Sequence, residues 1–133
     1  MSYDYIVVGG GSSGSLVAGR LAEAGARVLV LEAGGSDKNP LIQMPAGFVK
    51  LLGVEKYMWF YKSTIQKQLD GRAPVIPQGK VIGGGSSVNA MFYIRGQAGD
   101  YTPWVEATGD SGWSWPEVLK RYRDMEDNNR LQN

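Results

Sequence analysis

An α/β fold built on a parallel, dinucleotide-binding sheet is predicted for this chain by three observations. Residues 3–32 read as strand, glycine turn, helix, strand and acid. The two strand segments are almost unbroken apolar runs, the pattern of a parallel sheet covered on both faces. Glycine makes up 19 of 133 residues, about twice the usual ~7%. It clusters at 9–11 with 14, at 34–35 and at 83–85. Clustered glycine between apolar flanks marks backbone that comes close to something.

The first strand is read at Tyr3-Asp4-Tyr5-Ile6-Val7-Val8, short and buried. Gly9, Gly11 and Gly14 follow as G-x-G-x-x-G, the Rossmann-like fingerprint. Gly9 allows the tight turn, Gly11 leaves room for a pyrophosphate, and Gly14 lets the helix sit closely on the strand. Ser12 or Ser13 is expected to cap that helix. Leu16, Val17, Ala18, Leu21, Ala22 and Ala24 suit packing against a sheet, and Gly25 is placed to end the helix. Ala26–Leu31 is the second strand, closed by Glu32, which can accept hydrogen bonds from a ribose diol. Free N–H groups at the helix start attract phosphates. The plain alternative is a glycine-rich turn with Glu32 merely solvated. The motif does not separate NAD from FAD.

Residues 34–78 carry weaker signals. Gly34 to Pro40 reads as a loop, and Met44 to Leu52 as a site for a short helix. Tyr57–Tyr61 and Pro74–Pro77 read as strands around an Asp70-Gly71 turn. The aromatic run of Tyr57, Trp59, Phe60 and Tyr61 could wall a cofactor or substrate; core or interface packing is the plainer reading. Further on, Thr102-Pro103 suggests an N-cap with proline at N1, and a helix ending near Gly109. Ser114-Trp115-Pro116-Glu117 suggests a capping box. The helix from Pro116 is expected to turn Val118, Leu119, Tyr122 and Met125 inward. Lys120, Arg121, Arg123 and Asp124 then form its wet side, and Glu126–Arg130 is polar and exposed.

Composition removes several function classes. Lys and Arg number 14 against 13 Asp and Glu, for a net charge of +1, with no basic block to bind nucleic acid or an anionic membrane. The chain has no cysteine, so it offers neither disulfides nor thiolate chemistry. It also lacks histidine, the commonest general base and metal ligand, so no metal site is expected. No apolar run approaches a membrane span, and Ile6-Val7-Val8 is too short for a signal-peptide core. A cytoplasmic location is the default expectation.

Residues 77–96, PQGKVIGGGSSVNAMFYIRG, hold the third glycine cluster. A glycine–serine run is usually a linker, but this one has Val81 and Ile82 before it and Val88 to Ile94 after it. The stretch is similar to the first signature of the glucose–methanol–choline (GMC) oxidoreductases. Asn39-Pro40-Leu41-Ile42, Met44-Pro45-Ala46-Gly47, Trp59-Phe60-Tyr61, Gly71-Arg72, Asp100-Tyr101, Trp104, Gly109, Gly112-Trp113-Ser114-Trp115 and Val118-Leu119 extend the resemblance over nearly the whole chain.

The resemblance implies FAD and a Rossmann-like FAD-binding domain of the GMC type, incomplete in this chain. The adenosine half would lie on Gly9, Gly11, Ser12, Ser13, Gly14, Glu32 and Ala33. Gly84, Gly85, Asn89, Ala90, Met91 and Phe92 would neighbour the flavin half. On chemistry alone, Asn89 could equally be a turn or cap residue. Three positions depart from the family pattern. Gln78 stands where many relatives have arginine, and Gly85 replaces a common serine. Val88 stands where some relatives carry a histidine bonded to the flavin, so non-covalent FAD is implied at this position.

The implied activity is oxidation of a small alcohol, by hydride transfer from carbon to flavin N5. A hydroxynitrile lyase of the same family and a non-catalytic nucleotide-binding module are the alternatives. GMC proteins are several times longer, with their substrate domain and catalytic histidine in later segments. Residues 1–133 are therefore expected to be the N-terminal portion of the FAD-binding domain. No catalytic residue is expected in this chain, and the remainder of the same polypeptide would be its partner. Two parallel strands alone cannot cover both faces, so residues 1–133 by themselves are expected to be insoluble or to fail to hold FAD.

Overall fold

The computed structural model describes residues 2–126, in two compact units that divide between Phe92 and Tyr93. In the first unit, β1 (Tyr5–Val8) pairs in parallel with β2 (Val28–Leu31), Tyr5 opposite Val28 and Val8 opposite Leu31. Between them runs α1 (Ser12–Glu23). The helix ends in a paired-bond cap: Gly25 N–H reaches Ala22 O at 2.9 Å and Ala26 N–H reaches Leu21 O at 3.0 Å.

Two expectations for this segment are corrected. Its start is capped by Gly11, not by a serine; Ser12 and Ser13 already lie in the first turn, and no side chain bonds the open N–H groups. The strand is also not buried. Ile6 is 60% and Val8 83% exposed, and α1 buries none of its residues, with Leu16 and Val17 half-exposed. The reason is geometric. Helix α1 sits on the Val7 side of β1, where a Cβ on Gly14 would meet Val7 Cγ1 at 3.4 Å. Ile6 and Val8 point to the opposite face because side chains alternate along a strand.

The core lies elsewhere. Leu51, Tyr57, Met58, Val81 and Val88 form the buried cluster, with Leu41, Ile42 and Val54 packed against it. Its suppliers are short elements: α2 (Pro40–Gln43), a 3₁₀ turn at Pro45–Gly47, α3 (Phe48–Leu51), and the antiparallel pair β3 (Met58–Lys62) and β4 (Val75–Gly79). The loop expected up to Pro40 gives way to α2 there, because Asn39 Oδ1 accepts the Leu41 N–H at 2.8 Å and proline occupies N1. Asn39 Nδ2 also donates to the Tyr57 hydroxyl at 2.6 Å, tying this cap to the core. The Asp70-Gly71 turn forms as expected, both residues having positive φ. The last element of the unit is the single turn α4 (Gly85–Val88).

The second unit holds α5 (Ala98–Thr108) and α6 (Trp115–Met125). The cap of α5 is Gln97, five residues before the expected Thr102 cap. A reciprocal Gln97–Asp100 capping box sets the start, which leaves Pro103 inside the helix. It stops at Gly109 as expected. Ser114 is the N-cap of α6, but its side chain makes no capping bond. Val118 is buried and Leu119 and Tyr122 half-buried, whereas Met125 is 44% exposed instead of inward. Glu126 is ion-paired with Arg95 rather than solvated, and the remainder of the polar stretch expected through Arg130 lies outside the described residues.

Trp104 stacks on Trp113 and Tyr101 on Trp115. The Tyr101 and Tyr122 hydroxyls hydrogen-bond at 2.8 Å. That bond, with desolvation and the neighbouring charges, raises the Tyr101 pKa above 10.0. A raised phenol pKa favours the protonated folded state. The resulting stability is complete below pH about 10 and is lost as pH rises through the folded value. In a tyrosinate absorbance titration, Tyr122→Phe is expected to move Tyr101 back toward its ordinary value; an unmoved titration would refute the pairing.

Candidate cofactor cleft

The first and third glycine clusters meet. Gly83 N–H donates to Gly10 O at 2.8 Å, and Gly11 pairs with Gly83 as a parallel bridge. Beside it Gly35 pairs with Val81, and Ile82 N–H donates to Gly35 O at 3.0 Å. Gly84 closes the seam, where a Cβ would lie 2.8 Å from Gly11 Cα. Its φ of 55° with ψ of −131° belongs to a region that side-chain-bearing residues rarely enter.

These contacts border an open cleft of about 530 Å³. Nine of the thirteen sequence-selected residues line it: Gly9, Gly11, Ser12, Ser13 and Gly14 from the first turn, Glu32 and Ala33 from the end of β2, and Gly84 and Gly85 from the third cluster. Glu32 does more than face the cleft. Its Oε2 accepts the Gly10 N–H at 2.7 Å and its Oε1 the Gly34 N–H at 2.8 Å. Each carboxylate oxygen has a second lone-pair direction, so both bonds are compatible with accepting a ribose hydroxyl.

Asn89, Ala90, Met91 and Phe92 are not in this cleft. Asn89 and Ala90 border a second space of about 320 Å³, with Phe48, Leu52, Met58 and Val88 as its apolar wall. Gln78, Gly79 and Gly85 border both spaces, so the two lie side by side. Asn89 and Met91 also border a third space, of about 220 Å³. The turn role weighed for Asn89 is present: its Oδ1 accepts the Met91 N–H at 2.8 Å and holds Met91 at a φ of 60°. Phe92 is 86% exposed.

The sequence reading held Trp59 only as the less plain alternative for the aromatic run and did not select Gln78 or Gly79, yet all three line the cleft. Strand alternation is the signal that could have found Trp59. Met58 is buried in the core, so its neighbour turns the other way. Trp59 lies beneath the Lys80 ammonium, 4.1 Å from Nζ to ring centroid, a cation–π contact that fixes this wall. The aromatic run therefore divides: Tyr57 packs in the core and Trp59 borders the cleft.

The shape suits a dinucleotide with an extended apolar ring system. A helix start without a side-chain cap leaves donors for phosphates. Backbone-only walls at Gly11 and Gly84 admit close approach, and an apolar annex adjoins the mixed polar and apolar cleft. Among the described residues, no group of acidic side chains could hold a metal ion. No helix among them is long and apolar enough to cross a membrane.

Comparison with known proteins bears on the family and the fold. A family model described as GMC oxidoreductase matches residues 3–132. Oxygen-dependent choline dehydrogenase of Rhizobium etli (strain CIAT 652) is 46% identical over 127 residues, 95% of this chain and 23% of that protein. The enzyme of the same description from Vibrio vulnificus (strain YJ016) is 47% identical over 125 residues, 93% of this chain and 22% of the relative. Among solved structures, pyridoxine 4-oxidase from Mesorbium loti superposes with a TM-score of 0.86 at 42% identity, over 95% of this chain and 25% of its own. Formate oxidase of Aspergillus oryzae RIB40 superposes with a TM-score of 0.79 at 33% identity, over 98% and 24%. The chain spans about a quarter of the length of the relatives it matches.

Proposed function

This chain belongs to the GMC oxidoreductase family of FAD-dependent flavoproteins, and from that premise we propose that it forms the cofactor cradle of an enzyme that oxidises a small alcohol. The carrying observation is the backbone seam between residues 10–11 and 83–84, which brings the glycine turn, Glu32, Gly84 and Gly85 to the edge of one cleft, beside an apolar annex. When bound, FAD supplies a hydride acceptor at flavin N5. The alcohol proton goes to a base that the remainder of the polypeptide provides, since this chain has no histidine.

The chain's own residues bind and orient. The open N–H groups at the start of α1 and the Ser13 hydroxyl hold phosphate charge, and Glu32 receives the ribose. Val88, 5% exposed and part of the core, has no nucleophilic atom, which supports non-covalent attachment at this position. The same polypeptide's later segments cover the apolar face left open at Ile6 and Val8, because an exposed parallel sheet is costly.

The test uses the complete protein without oxygen. Addition of an alcohol substrate is expected to bleach the flavin absorbance. Cleavage of a cyanohydrin without bleaching would replace oxidation by lyase chemistry. A complete protein that retains no FAD would leave only a nucleotide-binding module. Gly11→Val is expected to empty the cleft, since its branches would enter the 3.7 Å gap that an ideal Cβ leaves to Gly84 Cα. Unchanged flavin occupancy in that variant would overturn the cradle assignment.

A further inference from the structure

We propose that Ser12 and Ser86 form a positioning pair that holds the two glycine clusters in register for the cofactor; the proposal rests on the cradle reading above. Their hydroxyl oxygens lie 2.6 Å apart, a hydrogen bond spanning 74 residues of sequence. Ser12 is the first residue of α1 and Ser86 the second of α4, so the bond links the helices that rise from the two clusters. It is the side-chain counterpart of the Gly83–Gly10 backbone bond and the tight Gly84–Gly11 approach. The two serines also face different spaces. Ser12 lines the large cleft, and Ser86 lines the 220 Å³ pocket beside Asn89 and Met91. The bond thus stands in the wall between them.

Both side chains are exposed. In an empty cleft, water can replace either hydroxyl at little cost, so the pair adds little to folding. A cofactor filling the cleft excludes that water, and the same bond becomes stronger in the drier surroundings. The pair should therefore act on cofactor retention and leave apoprotein stability alone. Ser12 then serves the cofactor mainly through Ser86, rather than as a helix cap or an independent ligand.

The test is FAD dissociation from the complete protein in Ser12→Ala, Ser86→Ala and the double variant. Each single change is expected to speed dissociation about three- to tenfold. The double should be no faster than the worse single, because either change alone breaks the bond. Ser86→Thr, which keeps a hydroxyl, should restore retention, and apoprotein melting should stay unchanged in all variants. Multiplying effects in the double, or an unaffected Ser86→Ala, would overturn the pairing. So would a parallel fall in apoprotein melting. A second measurement does not depend on FAD: Ser12→Cys with Ser86→Cys should cross-link under mild oxidation, as the short separation allows. No cross-link would overturn the pairing even where flavin binds normally. A cross-linked protein without flavin would support the pairing and count against the cradle reading instead.

Discussion

Gly14→Ala is expected to abolish holoprotein formation, while Gly19→Ala on the same helix leaves it intact. An ideal Cβ on Gly14 would lie 1.9 Å from Gly9 O and 3.1 Å from Gly9 C. These are backbone atoms of the cofactor turn, so no side chain can swing aside. Helix α1 must lift away from β1, or the turn must deform. Ordinary overpacking costs roughly 1–3 kcal/mol, and a rigid backbone obstacle puts this change at the upper end or beyond. The displaced atoms are also those that shape the cleft floor, so stability and FAD occupancy should fall together. Gly19 has nothing within 4 Å of its ideal Cβ. Alanine there removes the entropic cost of a mid-helix glycine and should stabilise by about 0.5–1 kcal/mol. Thermal melting and flavin content of the complete protein check both. A Gly14→Ala protein that melts normally with full flavin would show that α1 does not sit where it is described.

Glu32→Ala is expected to lose FAD and to cost stability in the apoprotein as well. A carboxylate that served only a ribose would cost nothing in the empty protein. This one accepts two backbone N–H groups, from Gly10 and Gly34, and so clasps the phosphate turn to the end of β2. Hydrogen bonds to a charged acceptor are worth about 1.5–3 kcal/mol each, and part-buried donors left unpaired add to the loss. A total of about 2–4 kcal/mol is expected after water re-enters the site. Glu32→Gln keeps the shape, but its amide nitrogen faces one N–H with another, so it should fall between wild type and alanine. Denaturant melts of the flavin-free protein separate the two roles. An apoprotein unaffected by Glu32→Ala would leave only the ribose role.

The legibility of the chain follows from how local each signal is. The β1–α1–β2 unit, the Gly25 cap and the Asp70-Gly71 turn were readable because each depends on a few neighbouring residues. The start of α5 was misplaced because Thr102-Pro103 imitates a helix start. The true one, Gln97 with Asp100, is an equally local signal that the proline obscured. The burial of β1 was misjudged for a different reason. An apolar run records what a strand is suited to, whereas burial depends on what is packed against it.

The sequence by itself determined the presence of three glycine clusters, the family resemblance and the chemistry such backbone can host. A glycine in a fingerprint carries its own reason, the absence of a side chain. Only the tertiary structure decided that the clusters touch, that Glu32 is a clasp, that Trp59 borders the cleft and that Asn89 and Met91 lie beside it in adjoining spaces. Those facts depend on the pairing of Gly10 with Gly83 and of Gly35 with Val81. The partners are far apart in the chain, and no short stretch of residues encodes which backbone atoms will meet.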